Sequence, residues 1–172
     1  MKRLQILAAM LLALITGNTL AQNPEVDYEK QVVNVAGHYN LNILPSPKKL
    51  TTFPVAVCKI PYLNVVNLVS HDITSIPPEI GNIKALTVLN MPNNKLTSIP
   101  KEIGQLTNLK SLNLNKNMIT GLPDELGNCV NLKSLIISDN NIPQADIDKI
   151  QKMLPNCVIT NVKSGMPVQK NY

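Results

Sequence analysis

Apolar residues in the middle of the chain recur with one long, fixed period. Leu63, Leu86, Leu109 and Leu132 stand 23 residues apart, and each opens the same arrangement. From Leu86 the apolar positions are Leu89, Met91, Leu96, Ile99, Ile103 and Leu106, punctuated by Asn94, Pro100 and Gly104. The copy from Leu109 places Leu112, Leu114, Asn117, Ile119, Leu122, Pro123, Leu126, Gly127 and Cys129 in the same columns. The copy from Leu63 places Val66, Leu68, His71, Ile73, Ile76, Pro77, Ile80, Gly81 and Ile83 there. A fourth, from Leu132, keeps Leu135, Ile137, Asn140 and Ile142 and then departs.

Each phrase predicts a short strand followed by a return. Leu89 and Met91 alternate with Asn90, so a strand there turns the two apolar residues inward and Asn90 outward. Asn94 follows where the chain leaves the strand. Its amide both donates and accepts, which suits a turn whose backbone groups are shut away from water by stacking. Leu96, Ile99, Ile103 and Leu106 line the return. Pro100 fixes φ there, and Gly104 suits a crowded backbone position. One unit of this kind cannot bury its apolar side alone, so neighbours must stack on both sides of it.

The phrase L-x-x-L-x-L-x-x-N-x-L, continued by I-P-x-x-I-G-x-L, resembles the leucine-rich repeat in its Ras-suppressor-like bacterial class. The resemblance covers Leu50 to Ile159. It implies an α/β solenoid with a concave parallel sheet and short irregular or helical return segments, and it implies protein binding.

The ends of such a stack need caps. Leu50, Phe53, Pro54, Val57 and Ile60 match the return columns, with Cys58 in the glycine column, so a half-repeat precedes Leu63. Upstream the match fails, with Pro45 and Lys48 in the columns of Met91 and Asn94, and residues 22–49 read as an N-terminal cap without an assigned structure. After the fourth repeat, Asp146 to Leu154 puts Ile147, Ile150 and Leu154 on one helical face, with Asp146 and Asp148 at its positive start. Leu154, Cys157 and Ile159 then repeat the strand phrase. The expected plan is therefore a signal segment at 1–21, the cap at 22–49, repeats and closing strand at 50–159, and a polar tail at 160–172.

Met1 to Ala21 carries Lys2 and Arg3, an apolar run from Ile6 to Ile15, and small residues Thr19 and Ala21 at signal-peptidase spacing. The apolar run is too short to span a bilayer, so we expect cleavage before Gln22 and a periplasmic or secreted protein with no membrane span after processing. Lys and Arg number 16 against 11 Asp and Glu, for a net charge of +5. Arg3 is the only Arg, so the processed chain has no guanidinium to grip phosphate or guanine, and nucleic-acid binding is not expected. With no Trp and only one Phe, a sugar-stacking surface is also poorly supplied.

Candidate chemistry is sparse. Cys58 and Cys129 lie three repeats apart, roughly 14 Å at one strand spacing per repeat, beyond disulfide reach. Cys129 and Cys157 belong to opposite walls of the core. Three unpaired, buried thiols are expected. His71 stands in the Asn94 column, where an imidazole serves the turn backbone; Asp72 beside it has no nucleophile in reach, and His38 falls in the cap. Ser138 to Asn141 lacks the alternating acids and closing Glu of a calcium loop. Glu79, Glu102 and Glu125 form a column on the outer return. Neither an enzyme, a metal nor a cofactor is expected. The structural ladder should be His71, Asn94, Asn117 and Asn140.

The out-facing columns hold Asn67, Asn90, Asn113 and Ile136, flanked by Val65, Val88, Ser111 and Ser134 and by Val69, Pro92, Asn115 and Ser138. With Lys110, Lys116 and Lys133 toward the C-terminal end, this surface suits an extended, acidic protein or peptide segment. The expected role is a monomeric, extracytoplasmic protein-binding module. The alternative is a small envelope repeat protein with no dedicated ligand.

Overall fold

The apolar phrases stack as one seven-stranded sheet in chain order, β1-β2-β3-β4-β5-β6-β7. The computed structural model describes residues 32–35, 38–43, 49–60 and 62–164. The expected signal segment, Pro45, Lys48 and the end of the tail at 165–172 lie outside them. The strands are β1 (Val32–Val35), β2 (His38–Asn42), β3 (Leu63–Asn67), β4 (Val88–Asn90), β5 (Ser111–Asn113), β6 (Ser134–Ile136) and β7 (Val158–Thr160). From β2 to β7 all neighbours are parallel, and β1 lies antiparallel on β2. The 23-residue period sets the register: Leu89 stands between Val66 and Leu112, and Asn90 between Asn67 and Asn113. The ladder continues past the strands, with Leu68 N–H donating to Asn90 at 2.8 Å and Met91 N–H to Asn113 at 2.8 Å.

The returns are 3₁₀ turns at Val55–Lys59, Pro78–Asn82, Lys101–Gln105 and Asp124–Asn128. Each follows a proline whose ring holds φ near the helical value: Pro54, Pro77, Pro100 and Pro123 at −72°, −74°, −70° and −69°. The glycine column lets successive turns approach. A Cβ at Gly104 would stand 2.3 Å from the Glu125 carbonyl oxygen. The fifth return is different: Asp146 and Ile150 replace the proline and glycine columns, and the segment runs on as helix α1 (Gln144–Met153). It buries Ile147 and Ile150, and Asp146 accepts the Leu122 N–H at 3.2 Å.

A single core fills the space between strands and returns, with Leu63, Leu86, Leu109, Met91, Leu114 and Ile103 among its fully enclosed side chains. Every repeat also contains one non-glycine residue in the left-handed region: Ser70, Asn93, Lys116 and Asp139, at φ 60°, 57°, 53° and 54°. Each immediately precedes a ladder residue and turns the chain off the strand.

At the N-terminal end the period changes. Leu41 pairs with Val66, and Ile43 N–H donates to Asn67 at 3.0 Å, so Leu41 and Ile43 fill the core columns of Leu89 and Met91 at a spacing of 25 residues. The assignment of Pro45 and Lys48 to the columns of Met91 and Asn94 was out of frame, because the connection after Ile43 is two residues longer. The Tyr39 and Tyr62 rings meet edge to face nearby, 4.9 Å between centroids.

Candidate functional site

Below the sheet exit runs a row of buried amides. Asn94 accepts the Ile73 N–H at 3.1 Å and donates to the carbonyls of Leu68 (2.7 Å), Met91 (3.2 Å) and Pro92 (3.3 Å). Asn117 accepts from Leu96 at 3.0 Å and donates to Met91, Leu114 and Asn115. Asn140 accepts from Ile119 at 3.0 Å and donates to Leu114, Ile137 and Ser138. Each amide thus ties its own turn to the preceding repeat. These side chains position the face and do not form it.

His71 performs the same task with fewer bonds. Leu50 N–H donates to Nδ1 at 3.3 Å and Nε2 lies 3.2 Å from the Ile43 carbonyl, an arrangement that assigns the neutral ring with its proton on Nε2. Burial pushes its pKa below the ordinary value, against the pull of the Ile43 carbonyl; Lys49 lowers it further and Asp72 raises it. Asp72 is committed elsewhere, pairing with Lys95 at 3.1 Å and Lys49 at 4.0 Å.

The surface available to a partner is the outer face of the sheet. Asn67, Asn90, Asn113 and Ile136 stand in register on consecutive strands, half-buried. Sequence reasoning missed both ends of this column: Asn42 precedes Asn67 and Thr160 follows Ile136. The flanking columns extend likewise, with Val158 beside Ser134. Asn42 was hidden by the changed period; Val158 and Val162 break a polar trend that Ser111 and Ser134 had set. Valines therefore flank the face at its two ends, with serines between them.

The amides are not all free. Asn67 donates to Asn42, and Asn113 accepts the Asn115 N–H at 3.1 Å. The Asn90 amide has no partner among the described residues, and the buried Asn40 Oδ1 has none either. Asn67 thus bonds across to the adjacent strand, and Asn113 bonds within its own segment. Lys110 and Lys133 stand exposed at the entrances of β5 and β6. Lys116 is exposed at a left-handed turn.

Cys58, Cys129 and Cys157 are unpaired and buried. Burial pushes the Cys58 thiol up to about 12, aided by the charge of Glu79, and the Cys129 thiol up to about 11. Among the described residues no group of three or more His, Cys, Asp or Glu is placed to hold a metal ion. None of the described helices is long and apolar enough to cross a membrane.

A family model described as leucine-rich repeat region matches residues 54–154. No curated protein sequence matches the chain. Among solved structures, a leucine-rich-repeat protein of Leptospira interrogans is 41% identical with a TM-score of 0.62, over 64% of this chain and 28% of its own. An internalin (inlF) from Listeria monocytogenes is 25% identical at 0.57, over 66% and 33%. A plant peptide hormone receptor, RGFR1 in complex with RGF2, is 30% identical at 0.53, over 66% and 18%. The chain spans a third or less of each of these proteins.

Proposed function

The chain belongs to the leucine-rich-repeat family, and from that premise we propose that it is a protein-binding module, working outside the cytoplasm through the concave face of its sheet. The observation that carries the reading is the separation of roles by column. Core and ladder positions repeat from turn to turn, whereas the outward columns change along the sheet while remaining in register: Val65 and Val88 give way to Ser111 and Ser134, and Asn67, Asn90 and Asn113 to Ile136. Such a surface offers a partner different side chains on one rigid scaffold, which is how stacked repeats recognise proteins. The amide of Asn90 faces that surface unsatisfied, and Lys110 and Lys133 favour an acidic partner whose on-rate falls with salt. The receptor structure, solved in complex with RGF2, supports the same direction.

Export is part of the proposal and rests on the residues of the first segment. Mass analysis of the exported protein should give Gln22 as its N-terminus; a full-length species retained in the membrane fraction refutes it. The binding face is tested on a partner captured by the wild-type protein. Asn90→Ala/Asn113→Ala should weaken capture, and Glu102→Ala/Glu125→Ala on the outer return should not. The reverse result moves the interface off the sheet.

A further inference from the structure

The two ends of the sheet are finished differently. At one end β2 is covered by the antiparallel β1. At the other, β7 is the last strand, and no described residue pairs with its outer side. In a parallel ladder, successive residues bond to opposite sides. Val158 N–H donates to Lys133 at 2.9 Å, the Thr160 carbonyl accepts from Ile137 at 2.9 Å, and the Val162 carbonyl accepts from Asp139 at 3.2 Å. The Val162 N–H donates to Ser138 Oγ at 2.9 Å. These even-numbered residues all face β6. Ile159 and Asn161 therefore aim their N–H and C=O groups outward, and among the described residues those groups have no partner. A row of this kind is a template for another strand.

The side chains around it point to what that strand contains. Val158 is 68% exposed and Val162 63%, while Val130 (68%) and Met153 (43%) border the start of β7, lining a hollow of about 70 Å³ with Leu154 and Cys157. Exposed apolar groups gathered at one place mark an interaction site. The charged groups flanking β7 are mostly basic: Lys133 is held opposite its beginning, Lys163 follows Val162, and Lys152 closes α1. The nearby Asp139 carboxylate is occupied by the N–H and hydroxyl of Ser164. Asp148 takes the Gln144 amide.

We propose that the outer edge of β7 accepts an extended segment of a protein partner, β-branched in its middle and acidic at its flanks, as an eighth strand. Backbone bonds to Ile159 and Asn161 hold it, Val158 and Val162 contact its apolar side chains, and Lys133 and Lys163 meet its acids. The inference rests on the protein-binding reading but moves the contact from the concave side chains to the backbone of the last strand.

The test uses the full chain and the labelled peptide EVTVTVE, blocked at both ends, with binding read by fluorescence anisotropy. Asn161→Pro deletes one outward N–H and leaves every β6–β7 bond in place, so it should weaken binding about tenfold or more, whereas Asn161→Ala should stay within about twofold. A thermal melt followed by circular dichroism verifies that both variants fold. Peptide N-methylated at alternate residues on its bonding side should not bind. Lys133→Glu/Lys163→Glu should weaken binding and flatten its salt dependence. Asn90→Ala/Asn113→Ala should leave this peptide unaffected, which separates the edge from the concave face. Equal binding by Asn161→Pro and wild type overturns the proposal, as does no binding by wild type; neither touches the concave reading. Binding that emerges only after removal of residues 165–172 gives the edge to the chain's own tail and also overturns it. So does a concentration-dependent dimer that is lost in Asn161→Pro while no peptide binds, because the occupant is then a second copy.

Discussion

Asn117→Ala tests the buried amide row, and the expected cost follows from counting which groups lose their last partner. Asn117 makes four bonds, but truncation does not orphan four groups. The Met91 carbonyl keeps Asn94 Nδ2 at 3.2 Å, the Leu114 carbonyl keeps Asn140 Nδ2 at 2.9 Å, and the Asn115 carbonyl keeps the Asn93 N–H at 2.9 Å. Only the Leu96 N–H is stranded, having Asn117 Oδ1 as its acceptor. A buried orphan donor costs about 1–3 kcal/mol, and three shared bonds to carbonyls that remain partnered add about 0.5–1 together, giving about 1.5–4 kcal/mol in all. Asn94→Ala should cost about 1 kcal/mol more, because it strands both the Ile73 N–H and the Leu68 carbonyl. Urea unfolding followed by circular dichroism measures both, with agreement of a second probe checking that the stack unfolds as a unit. A cost for Asn117→Ala below about 0.5 kcal/mol, no larger than for the exposed Thr97→Ala, refutes the reasoning. So does a milder effect of Asn94→Ala.

The other expectations concern the glycine column, the imidazole and the thiols. Gly104→Ala drives a Cβ against the backbone of Glu125 and should cost about 3 kcal/mol in the same melts, whereas Gly127→Ala meets mainly the movable end of Met153 and should cost about 1; the opposite order contradicts the packing. Because His71 titrates below its ordinary value in the fold, the unfolded chain takes up its proton first as pH falls. Stability should therefore be level above about 6.5 and decline below it, by at most about 1.4 kcal/mol per pH unit for one proton, and His71→Asn should remove that slope. Thiol titration at pH 8 should find Cys58 and Cys129 inert in the folded protein, since burial keeps them protonated, and all three thiols reactive in urea; a fast native phase from either contradicts their burial.

What the residues disclosed in advance was the part that repeats. Columns of Leu, Asn, Pro and Gly at 23-residue spacing fix strand, turn and return, since each column does one job in every turn. The left-handed residues escaped notice because Ser70, Asn93, Lys116 and Asp139 share a backbone angle and no side-chain chemistry. The strand at Leu41 escaped because two extra residues in a connection move every later column, although its side chains carry the ordinary core pattern. Helix α1 could be read, since Ile147, Ile150 and Leu154 keep a helical spacing and neither proline nor glycine stands in the columns that carry them in the other returns.

The same division bears on where recognition lies. A residue that recurs in every turn serves the stack, because the stack makes the same demand of every turn. Information about a partner has to reside in the exceptions. On the outer face these are Ile136, which ends the run of Asn67, Asn90 and Asn113, and Lys110 and Lys133, which succeed Asn64 and Thr87 at the strand entrances. Val158 and Val162 return apolar surface to columns that Ser134 and Ser138 had made polar. All of these lie on β5, β6, β7 or their flanks. In the N-terminal half Asn67 bonds Asn42, Asn64 accepts the Tyr39 N–H, and β1 lies antiparallel over β2. The exceptions thus gather at the end of the solenoid where the outer edge of β7 has no partner among the described residues, and a partner that reads this protein has most to gain by engaging it there.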